Sequence, residues 1–103
     1  MNPILIIITT ESNLKNAEKI AKSLIKKRAA ACISLKEISS IYFWEGEIES
    51  TNEIEINIKS TLENRDVIIE ILKAELSYEL PQIIFNEFNS ELDYFNWIRR
   101  NVS

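Results

Sequence analysis

Four glutamates within one short stretch and a single cysteine are the side chains of this sequence that could carry chemistry. The glutamates all fall on odd positions: Glu47, Glu49, Glu53 and Glu55. They would share one face of a β-strand and could hold a divalent cation through oxygen ligands. The alternative is a solvated face that protects the strand from pairing with other chains. Cys32 is either a soft metal ligand or redox thiol, or a small buried apolar residue.

Several other chemistries are excluded by the residues that the chain lacks. It contains no histidine, which is the commonest metal ligand and the usual general base near neutral pH. Zinc sites of the Cys/His kind and Ser-His-Asp or Cys-His catalysis therefore cannot be formed. One glycine cannot build the glycine-rich loops that bind phosphates. We therefore expect a protein that is not an enzyme.

The composition predicts one folded domain, residues 1–103, with 46% apolar residues. The net charge of −4 argues against a nucleic-acid surface, which needs a basic stripe, and against anionic membranes. One cysteine cannot form an internal disulfide, which fits a reducing compartment. The apolar run Ile4–Ile8 is too short for a membrane span. We expect a cytoplasmic protein that binds neither nucleic acid nor membrane.

The acidic stretch belongs to a long predicted β-hairpin, which spans Ser40–Ser60. Apolar and aromatic residues precede Glu45-Gly46, and isoleucines alternate with polar residues after it. An alternation with a period of two predicts a strand with one buried and one wet face. Gly46, the only glycine, suits a tight reversal that needs positive φ. Arms of roughly ten residues exceed the usual strand length. The hairpin would therefore overhang the domain and need apolar cover from another chain.

The remaining elements follow from periodicity and from breaker residues. Ser12 or Asn13 is predicted to cap the first helix and Thr61 to cap the second. The second helix is predicted to end before Pro81, because proline favours an extended conformation in the residue before it. The predicted elements are a strand at Ile4–Thr10, a helix with apolar residues from Leu14 to Ile25, a strand from Ala31 kinked near Lys36-Glu37, a helix at Ser60–Leu76, a strand at Gln82–Phe88 and a helix at Glu91–Asn101.

The order of these elements predicts an α+β fold of the ferredoxin-like kind. Such a β-α-β-β-α-β sandwich has a four-stranded antiparallel sheet with two helices on one face. Here it carries a long hairpin between the second and third strands and an additional C-terminal helix. The other face of the sheet is expected to have no helix over it. An uncovered apolar face predicts self-association through the sheet.

Five groups of residues, in this order along nearly the whole chain, resemble the CutA family of divalent-cation tolerance proteins. They are Arg28–Ile33 (RAAACI), Ser40–Gly46 (SIYFWEG), Glu53 with Ile58-Lys59, Tyr78-x-x-Pro81 and Tyr94-x-x-Trp97. The resemblance implies the ferredoxin-like fold, a cytoplasmic homotrimer and a non-enzymatic role in the response to metal ions. It also implies a shape similar to the trimeric PII signalling proteins, whose clefts between subunits bind small effectors.

The resemblance also implies where a ligand would bind. Copper, another divalent ion or a small effector would lie in a cleft between subunits. The matched cleft positions are Tyr42, Trp44, Glu53, Lys59, Tyr78 and Trp97, and Cys32 is the candidate metal ligand. The alternative for these residues is packing between the subunits of the trimer.

The chain departs from the family pattern in an informative way. Leu76 and Ser77 stand where the family commonly has His-Pro before the tyrosine. Cu(I) prefers several sulfur or imidazole ligands, so Cys32 alone is a weak copper site. Two alternative functions stay open: a structural or signalling trimer with no metal site, and an acylphosphatase-like enzyme. The loop Thr9–Asn13 has no glycine to cradle a phosphate, which argues against the enzyme.

Overall fold

A computed structural model describes all 103 residues of the chain. The elements are β1 (Pro3–Glu11), α1 (Leu14–Lys26), β2 (Cys32–Trp44), β3 (Glu47–Ser60), a 3₁₀ turn (Leu62–Asn64), α2 (Arg65–Glu75), β4 (Ile83–Asn89) and α3 (Leu92–Asn101). This is the predicted order of strands and helices. None of the three helices has the length and apolar character that a membrane span requires.

The four strands form one antiparallel sheet in the order β2-β3-β1-β4. β1 lies inside the sheet, where it pairs with β3 on one side and with β4 on the other. Its continuous run of β-branched residues suits this position, because such side chains pack well on a pleated surface that is covered from both sides. The α+β class and the antiparallel four-stranded sheet predicted from the sequence are confirmed.

Strands β2 and β3 form one uninterrupted ladder, from Cys32 opposite Lys59 to Trp44 opposite Glu47. The chain reverses at Glu45-Gly46, where both residues have positive φ, 50° and 82°. This is the two-residue turn whose twist matches that of the flanking strands. The strand pairing does not break at Lys36-Glu37, where the sequence predicted a kink, because β3 continues its alternation opposite these residues.

The core lies between one face of the sheet and the helices α1 and α2. It contains thirteen buried residues, which are Leu5, Ile7, Ala17, Ile20, Leu24, Ala29, Ala30, Ile54, Ile56, Ile58, Ile68, Leu72 and Leu76. The alternation in β3 produces this core, since Ile54, Ile56 and Ile58 all point to the helices. Asn13 is the cap of α1, and its side chain accepts a hydrogen bond from the Asn16 N–H at 2.8 Å.

The start of the second helix differs from the prediction. β3 remains paired as far as Ser60, opposite Leu5, so the chain must turn before a helix can begin. The 3₁₀ turn makes this change of direction and α2 begins only at Arg65. The Thr61 hydroxyl makes no capping bond to the backbone; it accepts a hydrogen bond from the Asn64 side chain at 3.1 Å. Arg65 itself is exposed.

The sheet face opposite α1 and α2 is here called the open face. The expectation that no helix lies over it is wrong, because α3 packs against β1 and β3 and covers part of this face. Ile98 of α3 is fully buried yet lies outside the core cluster. Tyr94 lies near Cys32, which projects from the open face. Three hydrogen bonds hold the end of the chain. The Ser103 N–H donates to the Arg28 carbonyl and the Arg28 guanidinium donates to the Arg100 carbonyl, both at 2.9 Å, and the Asn64 side chain donates to the Ser103 carbonyl at 3.3 Å. Ile84 and Phe88 on this face stay about half exposed.

The end of the hairpin, residues 40–51, extends beyond the helices and is here called the distal hairpin. The chain measures 45 × 25 × 22 Å, and the long axis reflects this extension. Ile41, Phe43 and Ile48 share one face and are 74%, 74% and 70% exposed. Clusters of large apolar residues are seldom left in water. The predicted overhang is therefore confirmed within the single chain.

Two substitutions in the turn at Glu45-Gly46 should change the stability of the protein in opposite directions. Gly46→Ala should lower the free energy of unfolding by about 1–2 kcal/mol, because alanine is disfavoured at positive φ. The φ value of 82° is the whole reason, since a Cβ at Gly46 would have no atom within 4 Å. Glu45→Asn should raise stability by roughly 0.5 kcal/mol, because asparagine tolerates positive φ and Asn-Gly favours this turn. Urea unfolding at a fixed protein concentration measures both, and equal effects of the two variants would contradict the assignment.

Candidate functional site

A cavity of about 490 Å³ lies between the distal hairpin and the segment that follows α2, and it is here called the cleft. Its lining is Thr10, Tyr42, Trp44, Glu49, Glu53, Tyr78, Glu79, Leu80 and Gln82. The hairpin residues project into it together because Tyr42 pairs with Glu49 and side chains alternate along each strand. Four of the predicted site residues, Tyr42, Trp44, Glu53 and Tyr78, are therefore brought together in one chain.

One hydrogen bond fixes the geometry of the cleft. The Tyr78 hydroxyl donates to Oε1 of Glu53 at 2.8 Å, which ties the segment after α2 to the hairpin. Burial raises the pKa of the Tyr78 phenol well above its ordinary value, and the bond to Glu53 with the negative charges of Glu53 and Glu11 raises it further. The phenol is therefore a neutral hydrogen-bond donor at physiological pH. Tyr42 lies nearby, its hydroxyl 3.5 Å from the Thr51 hydroxyl.

A buried carboxylate, which the sequence analysis did not identify, also forms hydrogen bonds to the segment after α2. Glu11, at the end of β1, is completely buried. It accepts hydrogen bonds from the N–H of Ser77 at 2.8 Å, from the Ser77 hydroxyl and from the Ser12 hydroxyl at 3.1 Å. Burial alone raises the pKa of the Glu11 carboxyl, but these hydrogen bonds outweigh it and the pKa lies below its ordinary value. Glu11 is therefore ionised and holds Ser77, the residue before Tyr78, in place.

The other predicted site residues lie at the opposite end of the hairpin. Cys32 pairs with Lys59 across the strands, and the Lys59 ammonium donates to the Ser34 hydroxyl at 3.3 Å. Trp97 stacks on Tyr94, with ring centroids 5.7 Å apart, and Tyr94 lies near Cys32. Lys59 and Trp97 are therefore not brought to the cleft within one chain. Glu53 and Lys59 lie on the same face of β3, six residues apart and too far from each other to touch.

The chain does not contain a complete metal site. No group of three or more Cys, Asp or Glu side chains lies close enough together to hold an ion. Cys32 is half-buried and belongs to no cluster of ligands, so the residues of one chain do not fit copper. Of the four hairpin glutamates, Glu53 is bonded to Tyr78 and Glu55 is 4.0 Å from Lys36. The glutamates share a face, as predicted, but do not converge on one point.

Comparison with known proteins relates the sequence to one family. The family described as CutA1 divalent ion tolerance protein matches residues 5–101. A protein named Divalent-cation tolerance protein CutA from Archaeoglobus fulgidus is 34% identical over 97 residues, 93% of this chain and 95% of its own. The protein of the same name from Pyrococcus horikoshii is 32% identical over 96 residues, 92% of this chain and 94% of its own.

Solved structures give the same relationship in three dimensions. A structure described as the periplasmic divalent cation tolerance protein CutA from Archaeoglobus fulgidus superposes with a TM-score of 0.94 at 32% identity and covers 97% of this chain and 99% of its own. CutA from Synechococcus elongatus superposes with a TM-score of 0.95 at 28% identity and covers 100% of this chain and 93% of its own. The helices and strands described above are thus those of CutA structures.

Removing the Ser77 hydroxyl should reveal the contribution of Glu11. Ser77→Ala should lower the free energy of unfolding by about 1.5–3 kcal/mol at neutral pH, the usual value for a hydrogen bond to a charged group. The pKa of Glu11 is depressed in the folded chain from the ordinary value of 4.5, so the stabilisation is complete above pH 4.5 and is lost as the pH falls below it. The difference between variant and parent should therefore shrink in acid. Ser39→Ala, at an exposed serine, is the matched control.

Proposed function

The chain belongs to the CutA1 divalent ion tolerance protein family, and on that premise we propose that it is a non-enzymatic divalent-cation tolerance protein that acts as a homotrimer. The fold we propose for each subunit is the ferredoxin-like sandwich. The strand order β2-β3-β1-β4 and the position of α1 and α2 on one face support it. A cytoplasmic setting is also proposed, and the single, unpaired Cys32 supports it.

The proposed trimer rests on one observation, the exposed apolar face of the distal hairpin. Ile41, Phe43 and Ile48 extend past the helices of their own chain, which leave them uncovered. Burial of such side chains stabilises an assembly by roughly 1.5–3 kcal/mol each. Ile84 and Phe88 on the open face add a second uncovered area. Two further copies of the chain supply cover for both in a closed assembly.

The ligand site we propose lies where two subunits meet. Trp44 and Cys32 stand at opposite ends of one strand, about 40 Å apart at the usual rise per residue. The residues of the cleft and those near Cys32, Lys59 and Trp97 can therefore meet only across a subunit boundary. Such clefts between subunits would place small ligands as in the trimeric PII signalling proteins. The bond between Tyr78 and Glu53 supports this role, because it fixes the wall of the cleft.

Any metal ion that binds in the cleft is expected to be a hard cation rather than copper. The donors that line the cleft are carboxylate and hydroxyl oxygens, which suit Mg²⁺ or Ca²⁺ better than copper. A second candidate function is a signalling trimer with no metal site, and the lack of any three converging ligands in one chain favours it. The two candidates differ in a single measurable property, which is direct binding of a metal ion.

The assembly should be visible in solution as a particle of about 36 kDa, three times the 12.0 kDa of one chain. Phe43→Glu should shift sedimentation towards lower mass at micromolar concentration, because a charge then replaces an apolar contact. Glu45→Gln, at the adjacent turn, should leave the mass unchanged. A parent chain that sediments as a folded particle of one chain would remove the trimer from the proposal.

Calorimetric titration of the assembled protein with Mg²⁺, Zn²⁺ and Cu²⁺ should separate the two candidate functions. If carboxylates hold the ion, Mg²⁺ should bind in the millimolar range and Glu53→Gln should weaken it, whereas Cys32→Ser should not. Absence of heat for all three ions with the trimer intact would favour the signalling trimer. Loss of copper binding in Cys32→Ser alone would show instead that the thiol is a ligand.

A further inference from the structure

The outward surface of α1 carries a straight row of four lysines, here called the lysine stripe: Lys15, Lys19, Lys22 and Lys26. Because they follow one another at intervals of four, three and four residues, they lie within an arc of about 60° on the helix. The buried side of α1, which lies opposite the stripe, is formed by Ala17, Ile20 and Leu24. The stripe is therefore exposed to solvent along about 16 Å of the helix.

The charge of the chain is divided unevenly between this helix and the remainder. Residues 14–28 contain six of the twelve lysines and arginines but only one of the sixteen aspartates and glutamates, which gives a net charge of +5. The other residues carry the remaining six cations and fifteen acids, which gives a net charge of −9. Such an asymmetry indicates a surface for a partner of opposite charge.

The stability of α1 does not explain the stripe. Lys15 lies in the first turn, where the helix dipole favours negative charge, and this turn contains no acidic residue. Lys15 and Lys19 are like charges four residues apart, as are Lys22 and Lys26, and such pairs are unfavourable on a helix. None of the stripe lysines takes part in the three ion pairs of the chain, and neither does Glu18, the only acid on α1. The repulsion within the stripe is therefore not relieved inside the chain.

The subunit contacts of the proposed trimer leave most of the stripe uncovered. Those contacts use the open face and the distal hairpin, whereas α1 packs on the other face of the sheet and the stripe points away from that sheet. Only the beginning of α1 lies near the hairpin, where Leu14 lines a cavity together with Ser39 and Asn52. The later lysines of the stripe lie farther along the helix, away from both contact areas.

We propose that the lysine stripe binds a short acidic segment of a partner protein. The carboxylates of that segment accept hydrogen bonds from the ammonium groups, which relieves the repulsion between the lysines. Leu14 and Ile25 lie along one border of the stripe and are 48% and 41% exposed, so apolar side chains of the same segment have a surface to pack on. An acidic helix with glutamates at the same intervals has the matching pattern of charges.

Two larger polyanions fit the stripe less well. A nucleic acid or an anionic membrane extends beyond a row of about 16 Å and would face the net charge of −9 on the remainder of the chain. A helix that binds a membrane inserts its apolar side, but that side of α1 is buried in the core. A short peptide segment avoids both difficulties.

Fluorescence anisotropy of a labelled peptide, titrated with the intact protein, tests the inference. The probe carries two leucines and glutamates at the intervals of the stripe, and the control peptide carries glutamines in place of the glutamates. The glutamate peptide should bind and the glutamine peptide should not. Added salt should weaken the binding, because exposed ion pairs are screened. A labelled single-stranded DNA and vesicles that contain phosphatidylserine should bind more weakly than the glutamate peptide.

The contribution of the stripe is tested with a double variant and a control of equal charge. Lys22→Gln/Lys26→Gln should weaken peptide binding about three- to twentyfold, the usual value of two exposed ion pairs. Lys73→Glu, at an exposed lysine of α2, changes the net charge by the same amount and should leave the affinity unchanged. The double variant should unfold at a temperature no lower than that of the parent, because it removes one pair of like charges.

Four results would overturn the inference. The first two are failure of the glutamate peptide to bind and equal affinity of the parent and the double variant. The third is an equal loss in Lys73→Glu, or tighter binding of the DNA or the vesicles, because the stripe would then act only through net charge or recognise a polyanion. The fourth is a lower sedimentation mass of the double variant, which would show that the lysines contact a neighbouring subunit instead.

The stripe lies within one chain, so its test is independent of the proposed function. A folded particle of 12.0 kDa that binds the glutamate peptide would remove the trimer and keep the inference. A trimer that binds metal ions but not the peptide would keep the proposed function and remove the inference.

Discussion

The continuous pairing of β2 with β3 is the constraint on which the rest of this structure depends. The ladder runs without a bulge from Cys32 to the turn at Glu45-Gly46 and back to Lys59. Because side chains alternate strictly along both strands, this one register decides which residues face the helices and which face away. A shift of one residue would bury the glutamates of β3 and expose Ile54, Ile56 and Ile58. The core, the cleft and the overhang are therefore consequences of the same pairing.

Glu11 at the end of β1 and Glu53 of β3 join the sheet to a segment that has no regular structure of its own. Residues 76–82 follow α2 and contain no strand or helix. Ser77 is held by the buried Glu11, and Tyr78 is held by Glu53. Pro81 limits the backbone further, since it fixes φ and restricts the preceding residue. A loop fixed at several successive positions can form a preorganised wall, and such walls lose little entropy when a ligand binds.

The sequence predicted the elements with strong periodicity and missed features that depend on long-range contacts. The alternation of β3, the reversal at Gly46 and the Asn13 cap are local patterns, and the structure has all three. The burial of Glu11 could not be seen locally, because its partner Ser77 lies sixty-six residues away. The same reason hid the return of α3 to the open face, where Tyr94 lies near Cys32. For the site, four matched positions meet in one chain, whereas Lys59 and Trp97 lie elsewhere.

The two faces of the distal hairpin differ in a way that assigns them different roles. One face carries Ile41, Phe43 and Ile48, whose exposure to water is unfavourable and whose burial lowers the free energy. The other carries Tyr42, Trp44 and the glutamates, whose charges are costly to bury without a partner. An assembly that covered both faces with apolar surface would leave the carboxylates unpaired. In the proposed assembly, contact between subunits through the apolar face would keep the aromatic and acidic face as the wall of a solvated cleft.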